Sequence, residues 1–84
     1  MSMWSRYAST DAQEESIQQI EEWLEGTEKK IVGAVTIGKA PQSVILDLTY
    51  HGGEIHVNRE GEITVNRESV NDSTEFLKVL GIKI

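Results

Sequence analysis

With 84 residues, no cysteine and a formal net charge of −6, the chain has room for one small domain. A chain of this size buries roughly 60% of its unfolded surface, enough to fold alone but with little core to spare for a catalytic cleft. Disulfide frameworks, thiolate nucleophiles and cysteine-based zinc sites are excluded, and the negative charge disfavours direct contact with phosphate backbones.

The same acidity favours a basic protein partner, or serves only solubility. MSMWSRYAST lacks the apolar stretch of a signal peptide, and no run approaches the ~18 apolar residues of a membrane span. The expectation is a soluble cytoplasmic protein without a membrane association.

Residues 1–9 form an N-terminal arm without clear periodicity, and residues 10–84 a single small α+β domain. The arm carries Trp4 and Tyr7 on either side of Arg6. It is either a flexible or surface-laid terminus, or an anchor for a partner, since these residue types are enriched at interface hot spots.

A helix begins at Thr10 or Asp11, where Thr10-x-x-Gln13 and Asp11-x-x-Glu14 both read as N-capping patterns. It runs to about Glu25, with Gly26 as a left-handed stop. At 100° per residue, Ile17, Ile20 and Leu24 share a stripe, with Trp23 on its margin. Glu14, Glu15, Glu21, Glu22 and Glu25 occupy another sector. From Asp11 to Glu28 there is no lysine or arginine, so these carboxylates have no basic partner at i+4 within the helix. The surface is a solvated face, a dock for a basic partner, or a crude imitation of a phosphate backbone.

Ile31 to Ile37 reads as the first strand. Strict alternation assigns Ile31, Gly33, Val35 and Ile37 to one face and Val32, Ala34 and Thr36 to the other. Gly33 marks either a close approach by a helix or a bulge. Pro41 marks the connection that follows.

From Ser43 to Val65 apolar and polar residues alternate through a meander. Val44, Leu46, Leu48 and Tyr50 share the core face, and Gly52-Gly53 suits a two-residue turn. That turn sets Leu48 opposite Val57. At the next turn, a three-residue loop with Gly61 left-handed pairs Val57 with Ile63 and Ile55 with Val65, which keeps one face apolar. The word VNRE recurs at Val57–Glu60 and Val65–Glu68 as a local echo. Asn66 to Asn71 is polar. A short helix follows from about Asp72 to Leu80, with Asp72-x-x-Glu75 as its cap, Phe76, Leu77 and Leu80 as its apolar stripe, and Gly81 and Ile82 at its end.

The predicted fold is α+β: a four-stranded antiparallel meander with an N-terminal and a C-terminal helix packed on one face (α-β-β-β-β-α). Its core face collects Ile31, Val35, Ile37, Leu46, Leu48, Tyr50, Ile55, Val57, Ile63 and Val65. The opposite face presents Val32, Ala34 and Ile45 as an apolar patch, with Asp47, Thr49, His56, Asn58, Glu62 and Thr64 around it.

Chemistry-bearing patterns are sparse. His51, Glu54 and His56 cluster near one hairpin end, the donor set of a divalent metal site, but no partner to orient the imidazoles is evident. The acidic residues fall on a helix face or in turns, not in a cleft where acid–base chemistry is arranged. No G-x-S-x-G elbow or phosphate-binding glycine loop occurs. The element order resembles that of the double-stranded-RNA-binding domain. That family has three strands and basic residues at the start of its second helix. Here that region reads Asn71-Asp72-Ser73-Thr74-Glu75, so RNA binding does not carry over.

The expected function is that of a small acidic non-catalytic protein-interaction module, as adaptor, inhibitor or assembly factor, without a cofactor or catalytic residues. Its candidate contact residues are Glu14, Glu15, Glu21, Glu22 and Glu25 on the helix, Trp4 and Tyr7 on the arm, and Val32, Ile45 and His56 on the sheet. Self-association through the sheet face or a sheet edge is a further route. The alternative is a nucleic-acid-mimicking inhibitor of a nucleic-acid-binding protein. The third reading is an enzyme or metal-binding protein using His51, Glu54 and His56.

Overall fold

A computed structural model describes residues 4–48 and 54–81 of the chain. In order they form a single 3-10 turn (Ser5–Tyr7), helix α1 (Asp11–Leu24), strands β1 (Ile31–Ile37), β2 (Ser43–Leu48), β3 (Glu54–Val57), β4 (Ile63–Val65) and β5 (Glu68–Val70), and helix α2 (Ser73–Leu80). The class is the expected α+β, but the antiparallel sheet has five strands, ordered β1-β2-β3-β4-β5, where four were expected.

Local signals set the helix ends. The Thr10 side chain accepts from the Gln13 amide, and Asp72 Oδ1 accepts from the Glu75 amide at 2.8 Å. Gly26 and Gly81, just past the two helices, are left-handed with φ of 80° and 77°.

Ile17, Ile20 and Leu24 of α1, Phe76 and Leu80 of α2, and nine side chains of the sheet make one buried cluster. Both helices therefore cover the same sheet face. Each of these side chains contributes roughly 1.5–3 kcal/mol from burial before chain entropy opposes it. The Trp23 and Phe76 rings join the two helices, with centroids 5.1 Å apart at 48°.

Strand β1 departs from its expected alternation. Ile31 pairs with Leu48, but Gly33 pairs with Asp47, so Val32 is an extra residue and the strand carries a bulge there. One inserted residue inverts every later assignment. Ala34 and Thr36 lie beside Leu46 and Val44 on the core side, whereas Val35 lies beside Ile45 and Ile37 beside Ser43 on the open side. Val35 and Ile37 are thus not core residues. Gly33 marks the bulge, the second of its two readings.

The β2–β3 register also differs. Val44, not Leu48, lies opposite Val57. The shift is four residues, an even number, so each side chain keeps its face. The expected turn, with Thr49, Tyr50, His51 and Gly52-Gly53, lies outside the described residues, as does Ile82. Strands β3 and β4 pair as expected, Ile55 with Val65 and Val57 with Ile63.

The two VNRE words are two hairpin turns of different construction. In the first, Asn58 Oδ1 accepts from the amides of Glu60 and Glu62, both at 2.9 Å, and Gly61 has φ of 83°. In the second, Asn66 and Arg67 have φ of 51° and 71° between the paired Val65 and Glu68. That is a two-residue turn with both central residues left-handed, the kind that Asn-Gly fills best. Arg67→Gly is expected to raise stability by about 0.5 kcal/mol: relief of a left-handed arginine outweighs the added freedom of the unfolded chain. A urea midpoint equal to or below the parent's would show that Arg67 is not strained.

Candidate functional site

The helices leave the other sheet face open, and strand pairing arranges it in lateral rows. One row runs Gly33, Asp47, Glu54. The next runs Val35, Ile45, His56, Thr64, Ser69. Ile37 and Ser43 begin a third. Among the described residues the exposed large apolar side chains are Val32, Val35 and Ile37, at 57%, 51% and 44% exposure. All three stand on β1, and the described residues pair that strand only with β2.

A shallow groove of about 570 Å³ crosses this face, lined by Ile37, Ile45, Asp47, Glu54, His56, Thr64, Asn66 and Arg67. Its walls are apolar at the β1 end and carry two carboxylates directly opposite each other, Asp47 and Glu54, with one cationic side chain, Arg67, from the β4–β5 turn. Like charges across a strand pair repel, so a cation placed between them is favoured. Among the described residues His56 Nε2 is buried with no hydrogen-bond partner, a state that buried polar atoms seldom keep.

Of the expected sheet residues, Ile45 and His56 lie on the open face as read. Val32 is exposed as the bulge residue. Ala34 is instead packed against the core. The residues that replace it in the apolar patch are Val35 and Ile37, and their one signal in the sequence is Gly33.

The acidic helix surface lies on the far side of the molecule, because α1 presents its opposite stripe to the sheet. Glu14, Glu15, Glu22 and Glu25 are exposed there, and Glu21 is half-buried. Lys29 and Lys30, from the connection after α1, line one cleft with Trp4, Glu21 and Glu25. The basic neighbours that the helix lacks within itself are thus supplied at its C-terminal end by the following loop.

Trp4 and Tyr7 are half-buried against the core, stacked on one another with centroids 5.9 Å apart. The Arg6 guanidinium sits 5.3 Å from the centre of the Tyr7 ring. Glu54 and His56 fall in separate rows, and His51 lies outside the described residues. Among the described residues no three His, Cys, Asp or Glu side chains gather closely enough to hold a metal ion. No described helix is long and apolar enough to cross a membrane.

No family model, no curated protein and no solved structure matches this chain.

Proposed function

We propose that this chain is a non-catalytic protein-interaction module of the cytoplasm, an adaptor, inhibitor or assembly factor, and that its working surface is the open sheet face along β1. One observation carries the reading: the exposed large apolar side chains of the described residues are gathered on one strand at the rim of the sheet. Scattered exposed apolar residues are ordinary, whereas a contiguous set beside a groove marks an interaction surface.

The test is the double variant Val35→Asp, Ile37→Asp. Both positions are exposed, so stability is expected to stay within about 0.5 kcal/mol of the parent. Capture of partners from source lysate on the immobilised chain, eluted by salt, should be lost with this variant and should resist moderate salt with the parent. A partner still held by the variant would remove the sheet-face reading.

The acidic face of α1 supports a second reading, an electrostatic dock or nucleic-acid mimic, because Glu14, Glu15, Glu22 and Glu25 stand exposed on one helix. Its signature is opposite. Binding should fall steeply with salt and with Glu22→Lys, and be indifferent to Val35→Asp.

A further inference from the structure

The edge of β1 has the chemistry to receive one kind of partner. An edge strand is usually guarded by charges, proline, its own shortness, a bulge or a covering segment, and of these β1 has a bulge at its start, at Val32. β1 is seven residues long, Ile31–Ile37, and contains no charge and no proline. Past the bulge at Val32 its backbone runs regularly from Gly33 to Ile37, paired on the β2 side only among the described residues.

A strand added along that edge extends each lateral row by one position. Beside Val35 and Ile37 the new neighbour meets exposed apolar side chains. Beside Gly33 it meets none, and the next group in that row is the Asp47 carboxylate. Asp47 Oδ2 leans over the glycine: a Cβ built on Gly33 would lie 3.6 Å from it. Strands are spaced by about 4.8 Å, so a lysine or arginine side chain from the added strand spans the bare glycine and reaches the carboxylate. Glu54, directly across from Asp47, adds to the same negative potential.

We propose, building on the sheet-face reading, that β1 accepts an extended segment of a partner protein by strand addition. That segment carries a basic residue beside Gly33 and apolar residues at the alternate positions beside Val35 and Ile37. Backbone hydrogen bonds supply the attachment and the alternate side chains supply the selection. A second copy of this chain fits less well, since Ile31–Ile37 has no basic residue of its own and two copies bring together net charges of −6 each.

The probes are two fluorescein-labelled extended peptides, each made in both chain directions. One carries an arginine followed at alternate positions by two valines, with serine and threonine elsewhere. The other carries glutamate in place of the arginine. Anisotropy titration of the full chain should show the arginine peptide bound at least about tenfold more tightly than the glutamate peptide. Asp47→Asn should remove about tenfold of that affinity, and Gly33→Val, which screens the carboxylate without a strained φ, should do the same. Amide hydrogens of β1 should gain protection from exchange when the arginine peptide is present.

Equal binding of the two peptides, or none by either, overturns the proposal. If both bind equally and Val35→Asp with Ile37→Asp abolishes both, the basic selection fails while the apolar face stands. Sedimentation of the protein alone as a dimer, sensitive to Val35→Asp and indifferent to Asp47→Asn, overturns it in favour of a second copy.

Discussion

Gly61→Ala is expected to lower folding stability by about 4 kcal/mol, a large fraction of what a domain of this size possesses. Two causes add. Gly61 has φ of 83°, where any residue with a Cβ loses about 1–2 kcal/mol. The new Cβ would also lie 2.8 Å from the carbonyl oxygen of Ala12, 3.0 Å from its Cβ and 3.1 Å from its carbonyl carbon. These are mostly backbone atoms of α1 and cannot swing aside. Relief requires the helix to lift from the β3–β4 turn. That stretches the Thr10 Oγ1 bond to the Arg59 carbonyl, at 2.8 Å, and the Ser16 Oγ bond to the Gly61 carbonyl, at 2.6 Å. It also unseats Ile17 and Ile20, and overpacking of this kind costs about 1–3 kcal/mol. The controls are Gly26→Ala and Gly81→Ala, with φ of 80° and 77° and no atom within 4 Å of the new Cβ. Each should lose only about 1 kcal/mol, the conformational part. Urea unfolding followed by tryptophan fluorescence compares the three. Equal losses in all of them would mean that the close approach to Ala12 carries no weight.

The β3–β4 turn is legible in the sequence for a separate reason. Gly61 is the position where only one loop length keeps the apolar residues on one face, a constraint set within the hairpin itself. The helix caps at Thr10 and Asp72 are local in the same sense. So is period-two alternation within β2, β3 and β4. The four-residue error in the β2–β3 register left the faces intact because it was even. β1 behaved differently, since a single extra residue at Val32 is odd and exchanges core for surface at all later positions. Strict alternation therefore assigns Val35 and Ile37, the residues that define the candidate surface, to the core. β5 leaves little trace in the sequence because its turn, Asn66-Arg67, lacks the glycine that announces a left-handed pair, and Glu68-Ser69-Val70 offers a single apolar residue to the core.

The surface reading changes accordingly. Strict alternation spreads the apolar patch over Val32, Ala34 and Ile45. The bulge concentrates it on Val35, Ile37 and Ile45, in line with an edge and next to Asp47. The bulge thus joins an apolar row, a bare glycine and a carboxylate at one rim of the sheet. The acidic face of α1 lies on the other side of the core, so a single small partner engages one surface or the other. Salt dependence then separates them by degree, because the α1 face binds through exposed charges throughout, whereas at the sheet face only the Asp47 contact is screened and the apolar contacts are not.

Gln13→Leu is expected to cost about 3 kcal/mol, although the two side chains are similar in size. Gln13 occupies the same helical stripe as Ile17, Ile20 and Leu24, at spacings of four, three and four residues, and is fully buried with them. Its Oε1 accepts from the Ser9 amide at 2.6 Å, and its Nε2 donates to the carbonyls of Gln42 and, at 3.5 Å, Val57. One side chain therefore ties the start of α1 to the β1–β2 connection and to β3. Leucine fills the space and leaves those backbone groups short of partners. Gln13→Glu isolates the Nε2 share. It keeps an acceptor for Ser9 but turns a second oxygen toward two carbonyl oxygens. Burial and those dipoles raise the folded-state pKa of the introduced carboxyl above its unfolded value of about 4.3. The penalty is then fully present above the folded pKa, shrinks as pH falls, and is gone below the unfolded pKa. Relative to the parent at each pH, Gln13→Glu should recover stability toward pH 4, whereas the loss in Gln13→Leu should stay constant. Two parallel curves would mean that the introduced carboxyl keeps its ordinary pKa, so that position 13 is neither desolvated nor closely faced by the Gln42 and Val57 carbonyls.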